Sequence, residues 1–239
     1  MDAFMNHFTT KSFDFAALLK TNDISASVQK HLAKVYTTLA ITVLVAAAGV
    51  LADMMFDLVG IISSIASFAL VIALAVMDTR DVTKRLNVLM GIAFTTGVNL
   101  GPLISLALDV HPMIVVSAFL GTAVVFACFT GSAMLEKRRS YFYLYAAISS
   151  GVLCLTLLQL INIFVKSHAM YTMELYMGLL IFCGYVLVDT QMIIEKASLG
   201  DRDFVSHTLE LFLDFVSLFV RVLLILLEKA KDDKEEDKD

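Results

Sequence analysis

Six long apolar runs, five of them without a single charge, decide what this chain can fold into. The uncharged runs cover residues 35–52, 58–77, 86–108, 113–135 and 141–165, and a sixth, 175–194, is interrupted only by Asp189. Each is close to or above the ~18 residues that mark a segment able to cross a bilayer. Inside hydrocarbon every backbone N–H and C=O must be satisfied within the protein, so runs of this length read as helices. Charged residues make up only 17% of the 239 positions, where a soluble domain carries about a quarter. The pattern predicts an all-α, multi-pass membrane protein.

A seventh apolar segment, residues 204–227, is different. It carries His207, Glu210, Asp214 and Arg221, spaced three, four and seven residues apart. That spacing puts all four on one helical stripe, with Ser217 in the gap and Asp203 and Glu228 extending it outward. Each charge at the centre of a lipid-exposed helix would cost ~2.5–3.5 kcal/mol on insertion scales. The stripe must therefore face protein, water or ions. The expected architecture is seven transmembrane helices, six surrounding a central polar-striped seventh. The chain divides into a cytosolic leader at 1–34, a helical membrane domain at 35–227 and a charged tail at 228–239.

Loop charges set an expected orientation. The second connection holds Arg80, Lys84 and Arg85, the fourth Lys137, Arg138 and Arg139, and the sixth Lys196 and Arg202; the first and third hold none, and the fifth only Lys166. Alternation of this kind places the N-terminus and the even-numbered connections in the cytosol. The first run reads as an uncleaved signal anchor. From about Ser25 the leader is amphipathic, which suits either a helix lying on the membrane or a solvated leader. Residues 229–239 of the tail mix four lysines with six acids. It lies on the non-cytosolic side if the seventh helix crosses fully, and in the cytosol if it does not; the Lys and Arg weighting favours the cytosol.

Smaller signals fit a helical bundle. Gly97 and Gly101 form a GxxxG followed by Pro102, a spacing that lets helices approach closely, although glycine is also simply common in membrane helices. Asn99 between them needs a partner, which favours an interior third helix. Cys128, Cys154 and Cys183 all fall mid-run, where small apolar thiols are expected rather than disulfides. The net charge of −5 gives no basic face for nucleic acid.

The chemistry concentrates on acids. Asp189, Glu210 and Asp214 are the acidic residues that lie well inside apolar runs. A lone buried carboxyl stays neutral, whereas two brought together share one proton because the second charge is resisted. Deprotonated, such a pair offers oxygen ligands to a hard cation such as calcium. Asp189 and Asp214 sit on consecutive segments joined by a short connection, so antiparallel packing can bring them to similar depth. An alternative for either acid is a plain hydrogen bond to a neighbouring helix. Arg221, two turns beyond Asp214, and Arg80 or Arg85 at the end of the second run, could bridge an ionised Asp and act as a latch. His207 is either pH-responsive or an interfacial histidine.

These residues carry a family resemblance. GYVLVDTQMIIEKASLGD at 184–201 and HTLELFLDF at 207–215 resemble the signature of the Bax inhibitor-1 (transmembrane BAX-inhibitor-motif) family. QKHLAKVY at 29–36, LGPL at 100–103, AFLGTA at 118–123 and CFT at 128–130 are similar as well, and MDAF at 1–4 with RRSYFYL at 138–144 is similar to its plant branch. The likeness covers nearly the whole chain. It implies an endoplasmic-reticulum membrane protein that suppresses programmed cell death. It also implies a pH-sensitive calcium leak, with six helices around a seventh and an aspartyl pair as sensor. Asp189 and Asp214 occupy the positions of that pair, and Glu210 falls where the animal branch has another acid. The tail departs from the family pattern, because many relatives end in a nearly pure lysine-rich run.

Three function classes follow. One is a proton-regulated calcium leak, with calcium as transported ion and no cofactor. A second is a membrane scaffold binding membrane or calcium-signalling proteins through its tail. The third, an enzyme, is disfavoured: Asp189 follows Val188 and Asp214 follows Leu213, unlike the Tyr-Asp and Gly-x-Gly-Asp of intramembrane aspartyl proteases, and HExxH, GxSxG and phosphate loops are absent from the sequence. Proton–calcium antiport is a variant of the first.

Overall fold

A computed structural model of the chain describes residues 24–135 and 141–236, with the side chains of 141–143 and 232–236 not described. The described residues form seven helices: α1 (Ala26–Phe56), α2 (Ile61–Val76), α3 (Val82–Val110), α4 (Pro112–Leu135), α5 (Tyr141–Val165), α6 (His168–Ser198) and α7 (Phe204–Glu236). Five of them, α1, α3, α4, α5 and α6, are long and apolar enough to cross a membrane. Large apolar side chains are exposed along α1, α2, α4 and α5, including Leu44, Ile62, Phe68, Leu120 and Phe164. A surface of this kind is unstable in water and suits lipid. The chain is a multi-pass membrane protein.

Two elements depart from the simplest reading of the apolar runs. α2 has 16 residues, about 24 Å of helix, because Asp57 takes a left-handed conformation and the chain turns before helix resumes at Ile61. α7 runs 33 residues to Glu236, so helix continues well beyond residue 227. The amphipathic stretch after Ser25 forms the opening turns of α1. Ser25 caps it by accepting from Val28 N, and Val28, His31, Leu32 and Val35 are buried. Residues 1–23 and the basic 137–139 connection lie outside the described residues.

The helices pack in a definite order. α7 packs on α1, α3, α4 and α6, while α2 packs on α3 and α5 on α6. The tightest seam joins α1 and α3, and small residues make it. Gly49 lies against the carbonyl of Phe94, Gly97 against that of Ala46, and Gly101 against the Asp53 carboxyl. The GxxxG is therefore a site of backbone approach. Asn99 finds its partner on α2, accepting from Ser63 Oγ at 2.7 Å, and Ser67 and Thr95 add a second link at 2.9 Å. α3 carries Pro102 inside the helix. Cys128, Cys154 and Cys183 are free thiols.

Candidate functional site

α6 and α7 run antiparallel, and polar side chains mark their register. At one end Thr172 donates to Glu228 at 2.8 Å. Further along, the Arg221 guanidinium fits beside Gly178, where a Cβ would stand 2.9 Å from Nε. Towards the other end Lys196 Nζ meets Glu210 Oε1 at 3.1 Å. These pairings advance along α6 as they retreat along α7, and in that register Asp189 falls opposite Asp214. Their carboxyls are within hydrogen-bonding reach of each other. Two carboxyls can share a hydrogen bond only if one is protonated, since a carboxylate has no donor. Asp214 is 7% exposed, and its Oδ2 is buried without a protein partner. An unsatisfied buried carboxylate oxygen is costly, so this atom calls for a proton or a water as partner.

The other residues of the stripe divide around this pair. Glu210 lies near enough to act on both aspartates electrostatically but is ion-paired with Lys196. Arg221 sits across Gly178 with its guanidinium 5.9 Å from the Phe182 ring, and its acidic neighbour is Glu174. Glu174 is itself buried, with Oε1 unpartnered. It escaped the sequence reading because it stands just before the apolar run, as did Asp53 at the end of another, which is buried and accepts from Val59 N at 2.7 Å.

Arg80 and Arg85 occupy different settings. Arg80 is exposed in the α2–α3 turn. Arg85 is 3% exposed, and its Nη1 contacts Asp203 Oδ1 at 2.7 Å. Its Nη2 donates to Ser206 Oγ at 2.8 Å, and Ser206 Oγ donates in turn to Asp203 Oδ2 at 2.8 Å. This arginine clamps the start of α3 to the start of α7, with Asp203 as its partner. Burial works to raise the Asp203 carboxyl, but the Arg85 and Ser206 hydrogen bonds outweigh it and hold the group below its ordinary value.

His207 is enclosed by the helices. It is 1% exposed, and its Nδ1 lies 2.9 Å from His31 Nε2 on α1. The rings meet edge to face with centroids 5.1 Å apart. One ring must donate and the other accept, so the pair joins α1 to α7 while at least one ring is neutral. His31→Ala would leave a buried imidazole without its partner, and thermal unfolding of the purified protein should show a loss of ~1–3 kcal/mol. A variant as stable as the parent would mean the contact contributes nothing.

Comparison with known proteins now bears on this arrangement. Residues 28–231 match the model of the family described as inhibitor of apoptosis-promoting Bax1. The chain belongs to the Bax inhibitor-1 family. It is similar to Bax inhibitor 1 of Mus musculus, 45% identical over 98% of this chain and 100% of that protein. It is similar to Bax inhibitor 1 of Arabidopsis thaliana, 43% identical over 97% of this chain and 96% of that protein. Bax inhibitor 1 of Homo sapiens is 44% identical over 98% and 100%. Animal and plant members of the family thus match nearly equally. The family match spans α1 to α7 and includes both carboxyls of the pair, the Arg85–Asp203 clamp and the two histidines.

Proposed function

We propose that this protein suppresses programmed cell death from the endoplasmic-reticulum membrane, acting as a pH-sensitive calcium leak gated by Asp189 and Asp214. The family description and the names of its relatives support the suppression of cell death. The meeting of two carboxyls on α6 and α7, with Asp214 Oδ2 buried and unpartnered, carries the proposed gate. With one proton shared, the pair is a closed contact between the helices. Loss of that proton places two like charges together in a low-dielectric setting, which pushes α6 and α7 apart and leaves carboxylate oxygens facing one another. Calcium takes six to eight oxygens, more than two carboxyls supply, so the pair suits a passing ion and not a resident one. In this reading the membrane domain is arranged about α7, the N-terminus is cytosolic, and the work is transport, not catalysis.

The Arg85–Asp203 clamp complements the switch. Because Asp203 is held below its ordinary value, it stays charged through the neutral range and anchors α7 while the aspartyl pair responds. Arg221, beside Glu174 and two turns from Asp214, would offer a cationic neighbour to the pathway without latching the pair.

The proposal is tested by protection. In cells given a death stimulus, the parent chain should protect and Asp189→Asn, expressed at the same level, should not. Deletion of 229–239 should leave protection in place. Protection by Asp189→Asn together with its loss on deletion of the tail would instead favour a scaffold acting through bound proteins.

A further inference from the structure

α1 and α4 both pack on α3 and α7 yet barely meet each other. The gap between them is a cavity of about 420 Å³ lined only by apolar side chains. Phe212, Phe215, Val216 and Phe219 of α7 form its floor. At its mouth stand Ala47 and Leu51 of α1 and Phe119 and Leu120 of α4, all exposed. Those mouth residues belong to the apolar belt that faces lipid, so the cavity opens sideways into the bilayer and not towards water. Phe212, Val216 and Phe219 lie on the side of α7 turned away from Asp214.

We propose that this cavity is a binding site for the acyl chain of a bilayer phospholipid. Three physical points support that occupant. Water in the cavity would find none of the two to four polar partners it needs. An empty cavity would leave its apolar lining, Phe119 and Phe215 among it, without dispersion partners on one side. The medium at its mouth is hydrocarbon, already present at high local concentration. A bound tail would press on the apolar flank of the helix whose opposite flank carries Asp214, so the lipid becomes part of what holds α7 in position.

The chain contains no tryptophan, so a single introduced indole reports without background. Phe215→Trp places the reporter on the cavity floor, and Phe68→Trp, at a residue 71% exposed on α2, reports ordinary contact with surrounding lipid. Each full-length variant is reconstituted into phosphatidylcholine vesicles with and without bromine on the acyl chains. Bromine quenches indole fluorescence on contact. The cavity floor should be quenched comparably to the reference, although the floor is interior. Ala47→Phe, which fills the mouth, should cut quenching at Phe215→Trp about threefold or more, since a close-packed interior leaves no second way in, and leave Phe68→Trp unchanged. If Phe215→Trp does not fold, Val216→Trp serves at the same floor. Quenching on the floor below about a tenth of the reference, or equal with and without Ala47→Phe, would overturn the proposal. So would quenching by a brominated free fatty acid in vesicles whose brominated phospholipid has no effect, which would assign the site to a free fatty acid.

Discussion

Gly97→Leu should abolish a stable fold. The Gly97 site faces the backbone carbonyl of Ala46, and a Cβ there would overlap the oxygen. A flexible side chain could swing away, but a helical carbonyl cannot move without shifting α1 as a whole. Gly49 and Gly101 hold the same seam to the same spacing, so movement at one point strains the other two. Overpacking typically costs ~1–3 kcal/mol, and this case lies beyond that range because backbone meets backbone. The measurement is the yield of monodisperse protein in detergent and its thermal unfolding. Gly131→Leu is the control, because nothing stands within 4 Å of a Cβ at Gly131, and it should behave like the parent. Equal stability of Gly97→Leu and Gly131→Leu would contradict the packing described for α1 and α3.

Asp203→Ala should be nearly as damaging, for an electrostatic reason. It strands the almost fully buried Arg85 guanidinium with only the Ser206 hydroxyl as partner. Removing one member of a buried ion pair costs ~3–5 kcal/mol, chiefly from the uncompensated charge left behind. Arg85→Met should cost less, since Asp203 is more exposed and keeps its bonds from Ser206 N and Oγ. The double variant should recover part of the loss of Asp203→Ala, which a denaturation series on all four proteins would show. The pH dependence has a definite sign. The folded-state value of Asp203 is lowered from 3.8, so its stabilisation is full above the ordinary carboxylate range and fades only as pH falls through that lowered value. The clamp's contribution to parent stability should therefore be full and constant across neutral pH. A clamp contribution that changes near neutrality would mean Asp203 is not held charged.

The helical class and most helix positions were legible in the sequence because lipid imposes a simple rule on long uncharged runs. The carboxyl pair was legible for the converse reason: Asp189 and Asp214 are costly in such runs, and consecutive antiparallel helices can meet at equal depth. The counts from the connecting loop matched only loosely, and helix α6 closes the difference by continuing to Ser198. Arg85 was legible as a candidate but not its partner. Its position near a loop suits a reach towards either an intramembrane acid or Asp203, and only the packing of α3 on α7 decides between them. His31 and Glu174 gave no signal, since each sits beside an apolar run, where charge and polarity are cheap and common. The pairing of His31 with His207 joins residues 176 positions apart, a distance no local pattern encodes. The limits of α2 and α7 also departed from the apolar runs, because a left-handed residue at Asp57 and a helix continuing into the charged tail are decided by local backbone geometry and not by hydropathy.

We propose the Asp189–Asp214 contact as the proton-controlled gate of a calcium path. Its most direct test is calcium efflux from liposomes holding the purified full-length chain, measured at several pH values across the neutral range, for the parent and for Asp214→Asn. An asparagine keeps the size and hydrogen-bonding capacity of the side chain but cannot ionise. The parent flux should change with pH, whereas the Asp214→Asn flux should be nearly independent of it. A pH response in Asp214→Asn equal to that of the parent would mean that this carboxyl pair is not the gate.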